Sequence, residues 1–274
     1  MIHMGSLFSG IGGLELGIGA ALAEAGIPHR VAWQVEREPF PRSILARHWP
    51  EADRNVIDVC KAGSANLAPV DLICGGFPCQ DLSFAGKGAG IAEGTRSGLW
   101  YEYRRIVREL RPRFVVVENV AALLSRGLGI VLGDLAALGY DARWECVRAS
   151  DVGAPHRRER LFIVAHADAR GWGARSGALG GEAGEREPGN GGGVGGAQSG
   201  VGRELDGLPA RLDRIPERWP TGPGEAQHEW EAPRVAKGIH ERAARLKGLG
   251  NAVVPAQGRE AMQRLLLPLL RGEQ

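Results

Sequence analysis

Short apolar runs alternate with segments of helical spacing along most of the chain. The apolar runs predict strands near residues 4–8, 30–35, 55–59, 70–74, 113–117, 141–147 and 160–165. Amphipathic spacing predicts helices over 14–25, 99–110, 127–138 and 257–270. Strands that alternate with helices are typical of an α/β fold built on a mainly parallel sheet.

The composition changes after His166. Between Gly171 and Gly207 lie 15 of the 42 glycines, too many for a regular core. We therefore expect one main domain over 1–165, a small loop-rich domain over 166–233, and a C-terminal segment over 234–274.

Charge and cysteine content exclude several classes of protein. The net charge of +2 gives no global signal for nucleic acid, although a local basic face stays open. The four cysteines form no CxxC pair, so we expect neither a metal site nor a disulfide framework. No apolar run is long enough to span a bilayer, and we expect a cytoplasmic protein without a signal peptide.

A glycine turn follows the first predicted strand. Ser9-Gly-Ile-Gly-Gly13 between a strand and a helix is the opening of a nucleotide-type βαβ unit, although many such sequences are only tight turns. Glu36 ends the second strand, where an acid suits a ribose diol; a surface carboxylate is the alternative. Asp58 is placed to bind an adenine amino group, but an ordinary loop acid fits the local pattern better.

Two reactive side chains follow later strands. Cys79 comes after an apolar strand and Gly75-Gly76, a position where open α/β folds carry their chemistry. Glu118 leaves the apolar run 113–117, and such a site can hold a carboxylate partly protonated near neutral pH. A capping or core-edge role for Glu118 is equally open. Three arginines at 157, 158 and 160 can clamp an anion or form a surface salt-bridge cluster.

Taken in order, these signals make the sequence resemble the bacterial and phage DNA (cytosine-5) methyltransferases. The likeness covers about residues 4–165 and 234–270, and Pro-Cys-Gln followed by Glu-Asn-Val is its most specific part. The motifs that carry it are Phe8-Ser-Gly-Ile-Gly-Gly13, Gly76-Phe-Pro-Cys-Gln80, Glu118-Asn-Val120, Arg158-Glu-Arg160 and Gly250-Asn-Ala-Val-Val254.

The resemblance implies a Rossmann-like, S-adenosylmethionine-dependent sheet with a small target recognition domain at 166–233. It implies that the Cys79 thiolate adds to carbon 6 of cytosine, so that carbon 5 can accept a methyl group. Glu118 would hold and protonate N3 of the base, Arg160 would contact O2, and Arg158 would help place the nucleophile loop and phosphate. The base that removes the carbon-5 proton is not named by any motif.

The same resemblance implies a set of binding residues. The cofactor would lie against Phe8, Gly10, Gly12, Leu14, Glu36, Asp58, Leu99, Asn251 and Val253. The cytosine must flip out of duplex DNA, and Gln80, Ser83 and Lys87 are expected to contact that DNA. The candidates for base readout, which the sequence does not rank, are Arg175, Arg186, Gln198, Arg203, Arg211 and Arg214.

Three positions depart from the family pattern. Ser6 stands where the first strand usually has Asp, Arg37 where an aromatic residue often follows the ribose acid, and His156 where Gln usually precedes the Arg-x-Arg. None removes a catalytic group, although Arg37 puts cofactor affinity in doubt.

Other functions stay open at this point. The alternatives are cytosine methylation in RNA such as tRNA, an inactive DNA-binding homologue, and a thiol hydrolase, for which no motif supplies a histidine. We expect duplex DNA as partner and a monomer at the bacterial or phage nucleoid. A cognate restriction endonuclease would be a genetic rather than a physical partner.

Overall fold

A computed structural model describes residues 1–78, 97–167, 226 and 241–272. The described residues form a six-stranded sheet in the order β2-β1-β3-β4-β6-β5. The strands are β1 (Ile2–Leu7), β2 (His29–Val35), β3 (Leu72–Gly75), β4 (Phe114–Val120), β5 (Tyr140–Val147) and β6 (Arg160–Ala167). The predicted α/β fold class is confirmed.

The first four strands are parallel, and β6 runs antiparallel between β4 and β5. The chain moves from β1 to β2 on one side and returns to β3 on the other side of β1. This reversal makes the carboxyl ends of β1 and β3 a topological switch point, where open α/β sheets bind ligands. The amino end of antiparallel β6 lies at the same edge.

One predicted strand is wrong. Residues 55–59 form no strand, and the strand that follows β2 is β3. The backbone there joins no strand of the sheet. Of the apolar side chains, Val56 packs against the core and Ile57 is exposed. At the edge of β2 that faces away from β1, the described residues form only an isolated bridge, from Trp33 to Asp53.

Helices cover both faces of the sheet. They are α1 (Gly13–Glu24), α2 (Pro39–His48), α3 (Trp100–Leu110), α4 (Leu123–Arg126), α5 (Leu128–Ala137), α6 (Arg242–Asn251) and α7 (Pro255–Leu270). Strand side chains alternate between two apolar cores: Val115 and Val117 face the core under α3 and α5, whereas Phe114 and Val116 face the core under α1 and α7.

The amphipathic pattern explains α3. Its buried side chains recur at helical spacing, so one face packs on the sheet while the arginines stay outside. Arg111 adopts the left-handed conformation that ends the helix, and Pro112 follows.

Helix α7 packs against α1, far from it in sequence. The contact is close because α1 carries glycine at Gly13 and Gly17. A Cβ at Gly13 would overlap the carbonyl oxygen of Val253, and one at Gly17 would lie 2.6 Å from that of Pro255. The C-terminal segment therefore lies directly beside the first βα unit.

No helix in the described ranges is both long and apolar enough to cross a membrane. Of the loop-rich region expected over 166–233, the structure describes only residues 166, 167 and 226.

Candidate active site

A cavity of about 500 Å³ opens at the carboxyl ends of β1, β2, β3 and β4. Its size is within the range of small-molecule sites. Six of the nine predicted cofactor residues line it, namely Phe8, Gly10, Glu36, Asp58, Leu99 and Asn251. Leu14 and Val253 line a neighbouring cavity of about 50 Å³, whereas Gly12 lines neither.

The glycine turn is shaped by backbone conformations that side chains disfavour. Phe8 (φ 54°) and Gly10 (φ 55°) are both left-handed, which turns the chain sharply as it leaves β1. Gly12 is also left-handed, and a Cβ there would overlap the ring of Trp49. The glycine at 12 is thus explained by packing rather than by contact with the cavity.

Glu36 joins the first two strand ends. Its Oε2 accepts the backbone N–H of Gly10 at 2.8 Å, and its Oε1 accepts that of Glu38 at 2.8 Å. These bonds fix the carboxylate at the cavity wall. Each oxygen keeps a second lone pair that can accept a hydroxyl from a ligand.

Asp58 begins the short 3₁₀ turn Val59–Lys61, where its Oδ1 accepts the backbone N–H of Cys60 at 3.0 Å. Its second carboxylate oxygen can accept a further donor. Arg37, one of the departures, lines the same wall, so a guanidinium is available where the family often has an aromatic ring.

Glu118 and Arg160 form an ion pair in the cavity wall. Nε of Arg160 lies 3.0 Å from Oε1 of Glu118, and both side chains are less than a fifth exposed. Burial raises the pKa of Glu118 to about 7, against the opposing charges of Arg160 and Arg158. The carboxyl is therefore able to gain or release a proton near neutral pH.

Asn119, the neighbour of this acid in sequence, contacts the segment between β3 and the cysteine. Its Nδ2 donates to the carbonyl of Phe77 at 3.1 Å, and its Oδ1 accepts the backbone N–H of Val120 at 2.9 Å. Glycine at 76 lets the main chain approach this acid closely, because a Cβ there would lie 2.5 Å from Oε2 of Glu118. The segment that leads to Cys79 is thus held against Glu118.

The predicted nucleophile Cys79 and the predicted DNA contacts Gln80, Ser83 and Lys87 lie outside the described residues. The chain is described as far as Pro78, which lines the cavity. Cys74 is fully buried in β3, and burial raises the pKa of its thiol well above the ordinary value. It is therefore not a competing nucleophile.

Arg158 contacts the C-terminal segment, whereas the nucleophile loop that it is predicted to help place lies outside the described residues. Its Nη2 donates to the carbonyls of Gly250 at 2.9 Å and Ala252 at 2.6 Å. These residues flank Asn251, so Arg158 contacts the segment that brings Asn251 to the cavity. His156, the departure nearby, is exposed.

Sequence reasoning missed a buried polar group behind the glycine turn. Glu15 is 2% exposed and lines the small cavity together with Ser6 and Ser9. Burial raises the pKa of Glu15, and Nε2 of Gln34 lies 3.4 Å from its Oε1. Ser9 Oγ donates to Ser6 Oγ at 2.9 Å, where the family usually has an Asp carboxylate. An acid in the first turn of an amphipathic helix gives no signal of such burial.

The remaining wall includes apolar side chains that no motif indicated. Phe40 and Ile57 line the cavity beside Arg37. Among the described residues, no group of three or more metal-ligating side chains is found.

The switch-point cavity, the glycine turn and the buried acid–guanidinium pair are the features of an α/β protein with a ligand site at the carboxyl ends of its parallel strands. The chain belongs to the C-5 cytosine-specific DNA methylases, because the model of that family matches residues 2–176. The resemblance inferred from the motifs is confirmed.

Individual relatives are similar over the same region. The chain is 30% identical over 169 residues to the type II methyltransferase M.NlaIV of Neisseria lactamica, a match that covers 58% of this chain and 40% of that protein. It is 35% identical over 164 residues to the orphan methyltransferase M.SPRI of Bacillus phage SPR, covering 58% and 36%. The chain thus spans less than half the length of these curated relatives.

Among solved structures, the Entamoeba histolytica methyltransferase EhMeth superposes with a TM-score of 0.51 at 19% identity. The superposition covers 61% of this chain and 53% of that one. This likeness shows a shared fold and no more.

Proposed function

We propose that this protein transfers a methyl group from S-adenosylmethionine to carbon 5 of a flipped-out cytosine in duplex DNA. The observation that carries the proposal is the Glu118–Arg160 pair, at 3.0 Å, in the same cavity as Glu36 and beside Pro78. An acid, a guanidinium and the entry to Cys79 therefore surround one space.

The cavity residues suit the cofactor. Glu36 offers lone pairs to a ribose diol, and Asp58 offers a carboxylate oxygen to an adenine amino group. Phe40, Ile57 and Leu99 supply apolar contact for a planar base. When bound, the cofactor supplies a sulfonium methyl as the electrophile.

The chemistry then falls to the protein's own side chains. The Cys79 thiolate forms a bond from Sγ to carbon 6 of cytosine while Glu118 gives its proton to N3. Carbon 5 becomes an enamine carbon and takes the methyl group, while the bond from that methyl to sulfur breaks and its electron pair leaves with a neutral thioether. A base removes the carbon-5 proton, the bond from Sγ to carbon 6 breaks, and N3 returns its proton to Glu118.

The raised pKa of Glu118 supports this role. A carboxyl with a pKa of about 7 is partly protonated at neutral pH, so it can donate to N3 and accept the proton back. Arg160 remains beside it to contact O2 of the base, as the family resemblance implies.

Duplex DNA is the proposed substrate, and its cytosine must leave the helix to reach a cavity at the strand ends. Gln80, Ser83 and Lys87 are proposed to contact the DNA, and the region 166–233 is proposed to select the sequence. We further propose that the protein acts as a monomer and that its genetic partner is a restriction endonuclease.

Bisulfite sequencing of DNA and of tRNA from cells that express the protein tests this function. We expect cytosine protection in one DNA context, and none in cells that express the Cys79→Ser variant. Protection confined to tRNA would replace the proposal with RNA methylation. No protection in either nucleic acid, with folded protein present, would contradict enzymatic activity and favour an inactive DNA-binding homologue.

A further inference from the structure

Two polar side chains join the loop before β6 to the C-terminal segment. Nη2 of Arg158 donates to the carbonyls of Gly250 and Ala252, while Nε2 of Gln257 donates to the carbonyl of Arg158 at 2.6 Å and to that of Val147 at 2.8 Å. Each bond spans 92 to 110 residues of sequence. We call this pair of side chains the clasp.

The clasp binds main-chain carbonyls at the end of a helix. The last carbonyls of a helix have no intrahelical N–H, and α6 ends at Asn251. A guanidinium is well suited to bind two such carbonyls, since its donors lie in a fixed fork and its charge matches the negative end of the helix. Arg158 therefore fixes the backbone on both sides of Asn251.

Gln257 holds the other half of the clasp rigid. It is fully buried at the start of α7, so its amide is committed to the two carbonyls it contacts. Arg158 itself has a left-handed backbone (φ 24°), a conformation that a non-glycine residue keeps only where its surroundings enforce it. Strained residues of this kind concentrate at functional sites.

Asn251 lies between the two main-chain carbonyls that Arg158 binds. The residue is exposed and lines the cavity, and the main chain on either side of it is bound to Arg158. Two residues after Arg158, Arg160 reaches Glu118. One short loop thus serves the cofactor side and the cytosine side of the cavity.

We propose that the clasp of Arg158 and Gln257 is a positioning device that holds Asn251 in the cofactor site. Arg158 therefore acts in cofactor binding before any DNA is present. The inference rests on the proposed function, because it takes S-adenosylmethionine as the ligand of the cavity.

Titration calorimetry with S-adenosylmethionine, on the full-length protein without DNA, tests the clasp. Arg158→Lys keeps the charge but loses the fork, and we expect the Kd to rise roughly tenfold, as for the loss of one charged hydrogen bond. Gln257→Met, which keeps the volume of the side chain, should weaken binding in the same direction. Leu267→Ala is the control: it removes buried apolar contacts of α7 away from the clasp, so it should lower the Tm and leave the Kd unchanged.

A double-mutant cycle with Asn251→Ala separates positioning from general destabilisation. If Arg158 acts through Asn251, adding Arg158→Lys to Asn251→Ala should raise the Kd no further. Any of three results would overturn the proposed role of the clasp. The first is a wild-type Kd in Arg158→Lys, and the second is a double variant in which the two single-variant increases in Kd simply multiply. The third is a loss of affinity in Leu267→Ala as large as that in Arg158→Lys. Failure of the wild-type protein to bind the cofactor would instead overturn the proposed function.

Discussion

Replacing Glu118 by glutamine should change how the stability of the protein depends on pH. The carboxyl has a pKa of about 7 in the folded protein and 4.5 as its ordinary value, which stands for the unfolded chain. The folded state therefore binds this proton more tightly than the unfolded state. The resulting stabilisation is fully present below pH 4.5 and is lost as the pH rises through 7.

The magnitude follows from the two pKa values. One pKa unit corresponds to about 1.4 kcal/mol, so ionising Glu118 in the fold lowers the free energy of unfolding by about 3 kcal/mol between pH 4.5 and about pH 8. The Gln variant keeps the shape of the side chain and has no proton to lose. The free energy of unfolding of Glu118→Gln minus that of the wild type should thus rise by about 3 kcal/mol over this range.

Urea denaturation at closely spaced pH values measures this difference. Subtracting the wild-type curve cancels the contribution of groups common to both proteins, including the buried Glu15. Glu51→Gln, which changes an exposed carboxyl, controls for the loss of one surface charge. A difference between Glu118→Gln and wild type that stays flat from pH 4.5 to 8 would refute the raised pKa and the proton-donor role built on it.

Two further predictions concern packing. Gly17→Ala should lower the free energy of unfolding by about 1–3 kcal/mol, because its methyl group would lie 2.6–2.9 Å from the backbone of α7. Gly19→Ala on the same helix is the control: its methyl group would meet only the His29 ring, so it should not lower the free energy of unfolding in this way. Equal Tm values for the two variants would contradict the close contact between α1 and α7. Tyr103→Phe should cost about 1–2 kcal/mol in urea denaturation, since the buried hydroxyl donates to the Val116 carbonyl at 3.0 Å; an unchanged midpoint would show that this bond contributes nothing net.

Local pattern was sufficient for most of the sheet. The runs at 70–74 and 113–117 become β3 and β4 because parallel strands buried on both faces need continuous apolar sequence. The same reasoning wrongly predicted a strand at 55–59, because apolar residues beside the edge of a sheet can also pack as a loop. Periodicity alone does not distinguish the two outcomes.

Long-range contacts were beyond that reasoning. Nothing near Arg158 in sequence indicates that its side chain contacts carbonyls 92 and 94 residues away. The burial of Glu15 likewise depends on β2 supplying Gln34 behind the glycine turn. The glycines of α1 did carry a signal, because close helix packing requires small residues, but they do not identify α7 as the partner.

Sequence motifs and geometry contributed differently to the site. Glu118 and Arg160 were selected by motif, and the structure adds their 3.0 Å separation and the cause of the raised pKa. Gly12 was selected by the same route, yet its neighbour is Trp49 rather than the cavity. A motif identifies a glycine by its position in the sequence. Only the packing shows whether that glycine makes room for a ligand or for a tryptophan ring.

The most direct measurement is a covalent trap. Duplex DNA that carries 5-fluorocytosine in the methylated context has no carbon-5 proton to remove, so the bond from Sγ to carbon 6 should persist after methyl transfer. With S-adenosylmethionine present, we predict a denaturant-resistant protein–DNA complex whose cross-linked peptide contains Cys79, and no complex with Cys79→Ser. A complex formed through another residue, or methylation of ordinary cytosine by the Cys79→Ser variant, would contradict the proposed chemistry.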